Sequence, residues 1–500
     1  MNCNIGETLI HRAMLTPDDE GFVGDGYRYT FKEVNSRVNG FASYLKRQNV
    51  APGERLAILC KNNEHLATAI YAAGKIGAIA VVLNWRLQGP ELNYILNNCG
   101  ASILLYDNEF QEAVAQLRAS IPVRSYIRWG GDGADPEFES ALSGQPSSEP
   151  ELVGGGDDPA IIMYTSGTTG KPKGAVLTHN NLLWSTFGLS HTLDWNYRDR
   201  FLLVAPLFHI GGLAPLVTNV HKGVTTVFMP NFEPVAAWAT IAEERITTMM
   251  SVPLMLQAML MVAKAKQVNA DSLRWFMCGA SAVPESLIRA YLALGIKVQQ
   301  VYGITEFSGG VTFWLQNMPL EKCNTQGKPI FYAQLKVADP ETGRELPIGE
   351  VGEILCKGPV VFKGYWDNPE ATKGSLIDGW YRSGDLGKVD EDGYFRVVDR
   401  LKDMIISGGE NIYPAELEAV IMTHPFVAEA AVVGLPDPKW GEIPVAFVVK
   451  KAESQIDANE IVSLCKEKLA SYKCVKDVRF IDALPKNPVG KILKTSLRGR

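Results

Sequence analysis

Residues 165–174 read Thr165-Ser166-Gly167-Thr168-Thr169-Gly170-Lys171-Pro172-Lys173-Gly174. A short apolar run, 161–164, precedes them and another, 175–177, follows, which predicts a strand, a loop and a second strand. The loop contains three glycines, four hydroxyl side chains and two lysines. Glycines let backbone N–H groups close around an anion, and hydroxyl and ammonium groups add further donors. This composition predicts a loop that holds a polyphosphate.

The same loop does not follow the Walker A pattern GxxxxGK[ST], and no helix signal comes directly after it. A phosphate-loop NTPase is therefore disfavoured. A solvent-exposed turn with two unrelated lysines is the simpler alternative for the loop taken alone, so the remaining segments of the chain decide between the two.

Bulk composition narrows the class of protein. A length of 500 residues predicts two or three domains, and 46% hydrophobic with 21% charged residues is ordinary for a globular protein. A net charge of −6 argues against nucleic-acid binding. The eight cysteines include no CxxC pair, which favours free thiols in a reducing, cytoplasmic compartment over disulfides or zinc.

Targeting and membrane signals are not visible in the sequence. The N-terminus has no apolar core of a secretory signal, and the apolar stretch 67–85 is interrupted by Lys75. That stretch is typical of a buried helix followed by a strand. We expect a cytoplasmic protein without a transmembrane segment; a homodimer and a peripheral membrane contact stay open.

The first third of the chain alternates helical and strand patterns. Thr30 caps a helix, residues 55–59 and 78–83 form short apolar strands, and 64–73 form a helix between them. This βαβ order predicts a parallel sheet with helices on both faces. Residues 129–158, rich in Gly, Asp, Ser and Pro, are predicted to be a surface loop.

Several later segments end in residues that suit a binding site. An apolar strand from residue 201 leads to His209 and the pair Gly211-Gly212, a breaker typical of a pocket mouth, although such a histidine can equally be a packed core residue. The strand 273–281 ends in small residues that would admit a flat ring. Turn signals between 343 and 400 predict hairpins.

Five blocks taken together resemble the adenylate-forming (ANL) superfamily of acyl-CoA synthetases, luciferases and peptide-synthetase adenylation domains. The five blocks occur in the family's order. They span residues 164–174, which contain the loop, and then 302–306, 380–385, 399–414 and 484–492. The residues in these blocks resemble most those of bacterial fatty-acyl-CoA ligases.

The resemblance implies a nucleotide site. It assigns ATP and AMP binding to Thr165, Ser166, Gly167, Thr168, Thr169, Gly170, Lys171, Lys173, Gly279, Ala280, Tyr302, Gly303, Thr305, Asp385, Arg400 and Lys491. Tyr302 would stack on adenine and Thr305 would meet the α-phosphate. Asp385 and Arg400 would contact the ribose. Glu306 would be the metal ligand, since carboxylate oxygens suit Mg²⁺.

The resemblance also implies the remaining roles. The catalytic residues would be Lys491, Thr305, Glu306 and His209, and Lys402 would be the hinge between domains. The acyl pocket would include His209, Val252, Gly309 and Gly310, where the glycine pair is expected to leave one wall open for an acyl tail. Coenzyme A would contact Gly408, Gly409 and Trp440.

The expected fold is α/β. A large N-terminal domain, 1–399, would contain stacked βαβ sheets and a small barrel-like part, and a small mobile α+β domain would span 400–500. The implied reaction joins a carboxylic acid to CoA through an acyl-adenylate, with ATP and Mg²⁺, releasing AMP and pyrophosphate.

The substrate favoured by the apolar pocket residues is a medium- or long-chain fatty acid. The alternatives are an aryl-CoA ligase of the benzoate, chlorobenzoate or cinnamate type, a luciferase-like enzyme and a peptide-synthetase-type adenylating enzyme. The last is disfavoured because no acidic pocket residue is found to bind an amino group.

Overall fold

The computed structural model describes residues 2–165, 171–408, 410–452, 454–470, 473–486 and 492–499. Its helices are α1 Ile5–Leu15, α2 Phe31–Arg47, α3 Glu64–Lys75, α4 Gly89–Cys99, α5 Gln111–Leu117, α6 Phe138–Leu142, α7 His179–Thr192, α8 Ile210–Lys222, α9 Pro234–Glu243, α10 Pro253–Ala265, α11 Glu285–Ala293, α12 Pro369–Ser375, α13 Pro414–Ile421, α14 Ala458–Lys468 and α15 Lys494–Leu497.

The strands alternate with these helices through most of the chain. They are β1 Glu20–Gly24, β2 Tyr27–Thr30, β3 Arg55–Leu59, β4 Ile79–Val82, β5 Ile103–Asp107, β6 Ser125–Trp129, β7 Pro159–Thr165, β8 Lys173–Thr178, β9 Arg200–Leu203, β10 Thr225–Phe228, β11 Thr248–Ser251, β12 Trp275–Gly279, β13 Lys297–Ile304, β14 Gly309–Trp314, β15 Lys328–Pro329, β16 Gln334–Ala338, β17 Gly352–Lys357, β18 Gly364–Tyr365, β19 Leu376–Ile377, β20 Trp380–Val389, β21 Phe395–Arg400, β22 Ile405–Ser407, β23 Glu410–Ile412, β24 Val427–Asp437, β25 Gly441–Lys450 and β26 Asp477–Phe480.

The chain divides into two compact units. The first contains Met1–Leu335 and Cys356–Tyr381, and the second contains Lys336–Leu355 and Arg382–Arg500. The residues between 382 and 399 thus group with the C-terminal part, whereas the sequence prediction counted them with the N-terminal domain.

Two mixed sheets build the first unit. One has the order β15-β14-β13-β12-β11-β9-β10-β1-β2, parallel from β13 to β1 and antiparallel at both ends. The other has the order β18-β8-β7-β4-β3-β5-β6, parallel from β7 to β6. The predicted βαβ rhythm is confirmed, since β3 and β4 are adjacent parallel strands and α3 is the helical crossover between them.

Apolar strands explain why the second of these sheets is buried on both faces. Residues of β3 and β4 are almost fully buried, and α4 and α5 supply the apolar side chains that cover one face. β7 ends at Thr165, the first residue of the predicted phosphate loop, so this core holds the residue at which that loop begins.

The prediction that residues 129–158 form a surface loop is wrong in part. It contains the short helix α6, and Glu149 pairs with the buried Lys75 of α3 at 2.7 Å. The backbone N–H of Val153 also donates to the carbonyl of Lys75. The segment is therefore anchored to the core, a contact across more than 70 residues that local composition could not reveal.

The second unit is an α+β arrangement. It contains β16, the hairpin β20–β21, and a C-terminal sheet ordered β23-β22-β25-β24 with β26 parallel to β25. Alternate residues of β24 and β25 face two different apolar clusters, one covered by α13 and α14 and the other by α15. The predicted α/β class, with a larger N-terminal and a smaller C-terminal part, is confirmed.

All eight cysteines are free. Among the described residues, no helix combines the length and the apolar character needed to cross a bilayer.

Candidate active site

The strands flanking the loop 165–174 form the antiparallel pair β7–β8, in which Thr165 lies opposite Lys173. The Lys171 ammonium lies 5.5 Å from the ring centroid of Tyr94, and the Lys173 ammonium lies 5.3 Å from that of Tyr365. Both cations therefore have an aromatic face beside them. The predicted phosphate ligands Ser166, Gly167, Thr168, Thr169 and Gly170 lie outside the described residues.

The predicted adenine site lies where β12 and β13 end. Gly279 pairs with Val301 in this parallel register, so Ala280 and Tyr302 follow at the same edge of the sheet. A Cβ at Gly279 would lie 2.3 Å from the Val301 carbonyl, so only glycine fits there. Ala280 has φ +66°, a left-handed conformation that turns the chain away from the sheet.

The next turn carries Thr305 and Glu306 in a 3-10 helix between β13 and β14. Ser308 ends this turn with φ +53° and is fully buried. Its hydroxyl donates to the Val360 carbonyl at 2.8 Å, and its own carbonyl accepts from the Ser185 hydroxyl at 2.7 Å. These bonds hold a strained backbone in place, as is common at functional sites.

Glu306 is a buried carboxylate with a defined partner. It is 7% exposed and accepts a hydrogen bond from the Tyr365 phenol at 2.8 Å. Its carbonyl accepts from the N–H of Phe362 at 2.9 Å. Burial, with the charge of Glu306, raises the pKa of Tyr365 well above its usual value, so this phenol stays a donor. Sequence reasoning missed Tyr365.

His209 is the N-cap residue of α8, and Gly211-Gly212 lie in the helix's first turn. The prediction that the pair acts as a breaker is thus wrong. A Cβ at Gly212 would lie 2.5 Å from the carbonyls of Ala205 and Pro206, so glycine is needed for the close approach of α8 to the preceding segment.

The imidazole of His209 is neutral. Burial, assisted by the charge of Arg86, lowers its pKa to about 4. Its Nε2 atom is shielded and has no hydrogen-bond partner in the described part of the chain. The ring lies 4.6 Å from that of Phe208. An unpaired polar atom among apolar neighbours is a candidate contact for a ligand.

Arg86 and Trp85 were not found by sequence reasoning. The guanidinium of Arg86 lies 4.6 Å from the Trp85 ring centroid and 5.9 Å from that of Phe208. Both residues follow shortly after β4. The rule that ligands bind beyond the carboxyl ends of parallel strands could have drawn attention to them.

The remaining acyl-pocket candidates lie in the same unit. Val252 is the N-cap of α10, and Gly309 and Gly310 are buried in β14. A Cβ at Gly309 would meet Ala214 and Ser185 at 3.3 Å, and one at Gly310 would lie 2.6 Å from the Phe313 ring. On the side where a Cβ would stand, the glycine pair therefore leaves no opening, because neighbouring side chains occupy that space.

A second buried cluster lies in the same unit and consists of Cys60, His65 and Asp107. His65 Nε2 lies 2.7 Å from Asp107 Oδ1, and the other carboxylate oxygen accepts from the Lys61 N–H at 2.8 Å. Burial raises the pKa of the Cys60 thiol. A protonated thiol beside a carboxylate that is already hydrogen-bonded is typical of a structural polar cluster.

In the second unit, Asp385 lies opposite Arg400 in the β20–β21 hairpin. The Arg400 Nε atom lies 2.5 Å from Asp385 Oδ1, and Asp385 is 2% exposed. The two residues predicted to contact ribose are therefore brought together, although 14 positions separate them in the sequence. Register in the hairpin explains this, since Asp392-Gly393 form its turn with Gly393 at φ +80°.

The predicted CoA contacts Gly408 and Trp440 are also adjacent. Gly408 donates its N–H to the Trp440 carbonyl at 2.8 Å, and a Cβ at Gly408 would lie 2.7 Å from the indole ring. The indole is 45% exposed. Lys402 is exposed in a 3-10 turn. Gly409 and Lys491 lie outside the described residues.

Family profiles match both parts of the chain. The profile of AMP-binding enzymes matches residues 9–366, and that of the AMP-binding enzyme C-terminal domain matches residues 416–491. The first matched range includes the loop 165–174, the turn with Glu306 and β18 with Tyr365, and the β20–β21 hairpin lies between the two ranges.

Full-length relatives have related activities. A long-chain-fatty-acid–CoA ligase, FadD13 of Mycobacterium tuberculosis, is 40% identical over 500 residues, covering 99% of this chain and 98% of that protein. A feruloyl-CoA synthase of Amycolatopsis is 41% identical over 501 residues, covering 100% and 99%.

A solved structure has the same fold along its whole length. The o-succinylbenzoate CoA synthetase MenE of Bacillus subtilis, in complex with its acyl-adenylate, superposes with a TM-score of 0.89 at 32% identity, covering 100% of this chain and 98% of that one. The same enzyme with ATP and magnesium gives a TM-score of 0.88 at 33% identity, covering 98% of both chains.

Proposed function

Because the chain belongs to the AMP-binding enzyme family and is an AMP-forming acid–CoA ligase, we propose that it activates a medium- or long-chain fatty acid. The observation that carries this proposal is the neutral His209 among apolar neighbours. A neutral imidazole does not favour a second charged group, and its sequence neighbours Phe208 and Ile210 are buried and apolar. The 40% identity to the mycobacterial fatty-acid ligase supports the same class.

An aromatic acid is the second candidate. It is supported by the 41% identity to the feruloyl-CoA synthase. The rings of Trp85 and Phe208 lie with their centroids 6.3 Å apart and their planes at 84°. An aromatic substrate beside them would therefore find partners for edge-on or stacked contacts.

The nucleotide roles are proposed as the family implies them. Tyr302 contacts adenine at the edge of the sheet beside Ala280. Asp385, with Arg400, contacts the ribose. Thr305, Lys171, Lys173 and the loop residues between Thr165 and Gly174 bind the phosphates. In the first step the substrate carboxylate attacks the α-phosphate, forming an acyl phosphate bond, and pyrophosphate leaves. Lys491 orients the carboxylate and neutralises charge there.

The family uses Mg²⁺, and the residues at the proposed site fit this ion. Glu306 supplies a buried carboxylate and Thr305 a neighbouring hydroxyl, which are the hard oxygen groups that Mg²⁺ prefers. The ion would neutralise phosphate charge. The Glu306 side chain accepts a hydrogen bond from the Tyr365 phenol, and its backbone carbonyl accepts one from the N–H of Phe362.

The second step transfers the acyl group from the adenylate to the CoA thiol, releasing AMP. We propose that Gly408, Gly409 and Trp440 contact CoA at this stage, and that the C-terminal domain, beginning near residue 400, changes orientation about Lys402 between the steps. His209, with Val252, Gly309 and Gly310, borders the acyl group.

The substrate proposal is tested by ATP–pyrophosphate exchange across a panel of acids. For fatty acids, kcat/KM should rise with chain length until the pocket is full, because each buried CH₂ contributes about 0.8 kcal/mol. A preference for ferulate or benzoate would favour the aryl alternative. A preference for malonate or succinate would overturn both and point to Arg86 as the cation that pairs with a second carboxylate.

Location and assembly are further proposals. We propose a cytoplasmic enzyme with peripheral membrane contact, supported by Leu254 and Met261 on α10, which are 62% and 67% exposed beside Lys264. Sedimentation with anionic lipid vesicles tests this contact. A homodimer is also proposed, and light scattering at several protein concentrations tests it.

A further inference from the structure

Tyr365 connects three parts of the first unit. It belongs to β18 and lies opposite Ala175 in β8, the strand that leaves the phosphate loop. Its phenol donates to Glu306 at 2.8 Å, and its ring lies 5.3 Å from the Lys173 ammonium. One side chain therefore contacts both the proposed metal carboxylate and a lysine of the loop.

The segment around Tyr365 is itself firmly held. The Asn181 amide at the start of α7 donates to the carbonyls of Pro359 and Val361, both at 2.9 Å. The N–H of Tyr365 donates to the Thr372 hydroxyl at 2.9 Å. Because backbone and side-chain bonds fix residues 359–365, the phenol oxygen has little freedom to move.

A second buried phenol, that of Tyr381, lies near the first. Burial raises the pKa of both Tyr365 and Tyr381. Phe362 packs edge-on against both rings, with centroids at 4.9 and 5.6 Å. Because the Tyr365 phenol stays protonated, it donates its hydrogen bond to the Glu306 carboxylate.

We propose that Tyr365 is a positioning residue for Mg²⁺ binding: its phenol fixes the rotamer of Glu306, while its ring aligns Lys173. The inference rests on the proposed role of Glu306. Partners that hydrogen-bond to a metal ligand fix the ligand's orientation, and their loss typically weakens metal affinity or activity by about 10–100-fold.

The test substitution is Tyr365→Phe, which keeps the ring, its packing on Phe362 and its face toward Lys173. We expect the Mg²⁺ concentration for half-maximal ATP–pyrophosphate exchange to rise by about tenfold. Without acyl substrate, calorimetric titration should show weakened ATP binding at limiting Mg²⁺ that recovers at saturating Mg²⁺.

Tyr291→Phe is the matched control, since it removes a buried phenol that donates to the Leu256 carbonyl at 2.6 Å, away from Glu306. It should lower thermal stability comparably and leave the Mg²⁺ requirement unchanged. A wild-type Mg²⁺ requirement in Tyr365→Phe would overturn the proposal. If Glu306→Gln also leaves that requirement unchanged, the metal role of Glu306 is wrong; if only Glu306→Gln raises it, the positioning role alone fails.

Discussion

A buried histidine gives the protein a defined response to acid. His179 is 1% exposed, and its Nδ1 accepts the backbone N–H of Ile5 at 3.1 Å. Burial lowers its pKa to about 4, against the opposing effect of Asp158. The unfolded value is about 6.5. Between these values the unfolded chain binds a proton that the folded chain does not, so the free energy of unfolding falls as pH drops from about 6.5 to about 4.

We expect His179→Gln to weaken this dependence, because an amide oxygen can still accept from Ile5 but does not titrate. The slope of the free energy of unfolding against pH should differ between the variant and wild type by at most about 1.4 kcal/mol per pH unit, which corresponds to one proton. Thermal unfolding midpoints between pH 7.5 and 4.5 measure it. His11→Gln, at an exposed histidine, is the control, and parallel pH profiles for His179→Gln and wild type would contradict the expectation.

Elements with local signals were predictable from the sequence. The strands β7 and β8 follow from the apolar runs 161–164 and 175–177, and the β3–α3–β4 unit follows from strand and helix periodicity. Tyr365 was not predictable, since its bond to Glu306 spans 59 residues and depends on the pairing of β18 with β8. The same holds for Arg86, whose environment is set by packing onto Phe208.

The contact between α3 and the segment after α6 is another non-local feature, and it leads to an element-scale prediction. Lys75 is fully buried, and its ammonium donates to Asn35 and Asn39 of α2 and to Glu149, at 2.6 to 2.7 Å. Burial lowers its pKa. Of these three acceptors, removing Glu149 leaves the buried Lys75 ammonium only the amide oxygens of Asn35 and Asn39.

Glu149→Ala should therefore lower stability by about 2 kcal/mol, below the range for fully buried pairs because the Glu149 side chain is 40% exposed. In a Lys75→Met background the same change should cost much less, since no charge is stranded. Thermal unfolding of the four proteins of this cycle measures the coupling. Additive effects would mean that the ion pair does not hold the segment to α3.

At the scale of the whole molecule, the two half-reactions give a prediction about Lys402. The proposed reorientation of the C-terminal domain requires backbone rotation near this residue. Lys402 is exposed in a 3-10 turn, and its backbone carbonyl accepts a hydrogen bond from the Arg498 guanidinium at 3.2 Å. Proline fixes φ and removes an N–H, so Lys402→Pro should restrict that rotation. ATP–pyrophosphate exchange should survive, while acyl-CoA formation from supplied acyl-adenylate should fall, because the second step depends on the conformational change.

Two further variants make the result interpretable. Lys402→Ala keeps backbone freedom and should retain both half-reactions, whereas Lys491→Ala should show the reverse pattern, with adenylation reduced by about 10²–10³-fold and thioester formation largely retained. Thermal midpoints check that each variant folds. Because the proline affects only a step that follows adenylation, equal loss of both half-reactions in Lys402→Pro, or unchanged overall turnover, would mean that the domain does not pivot at this residue.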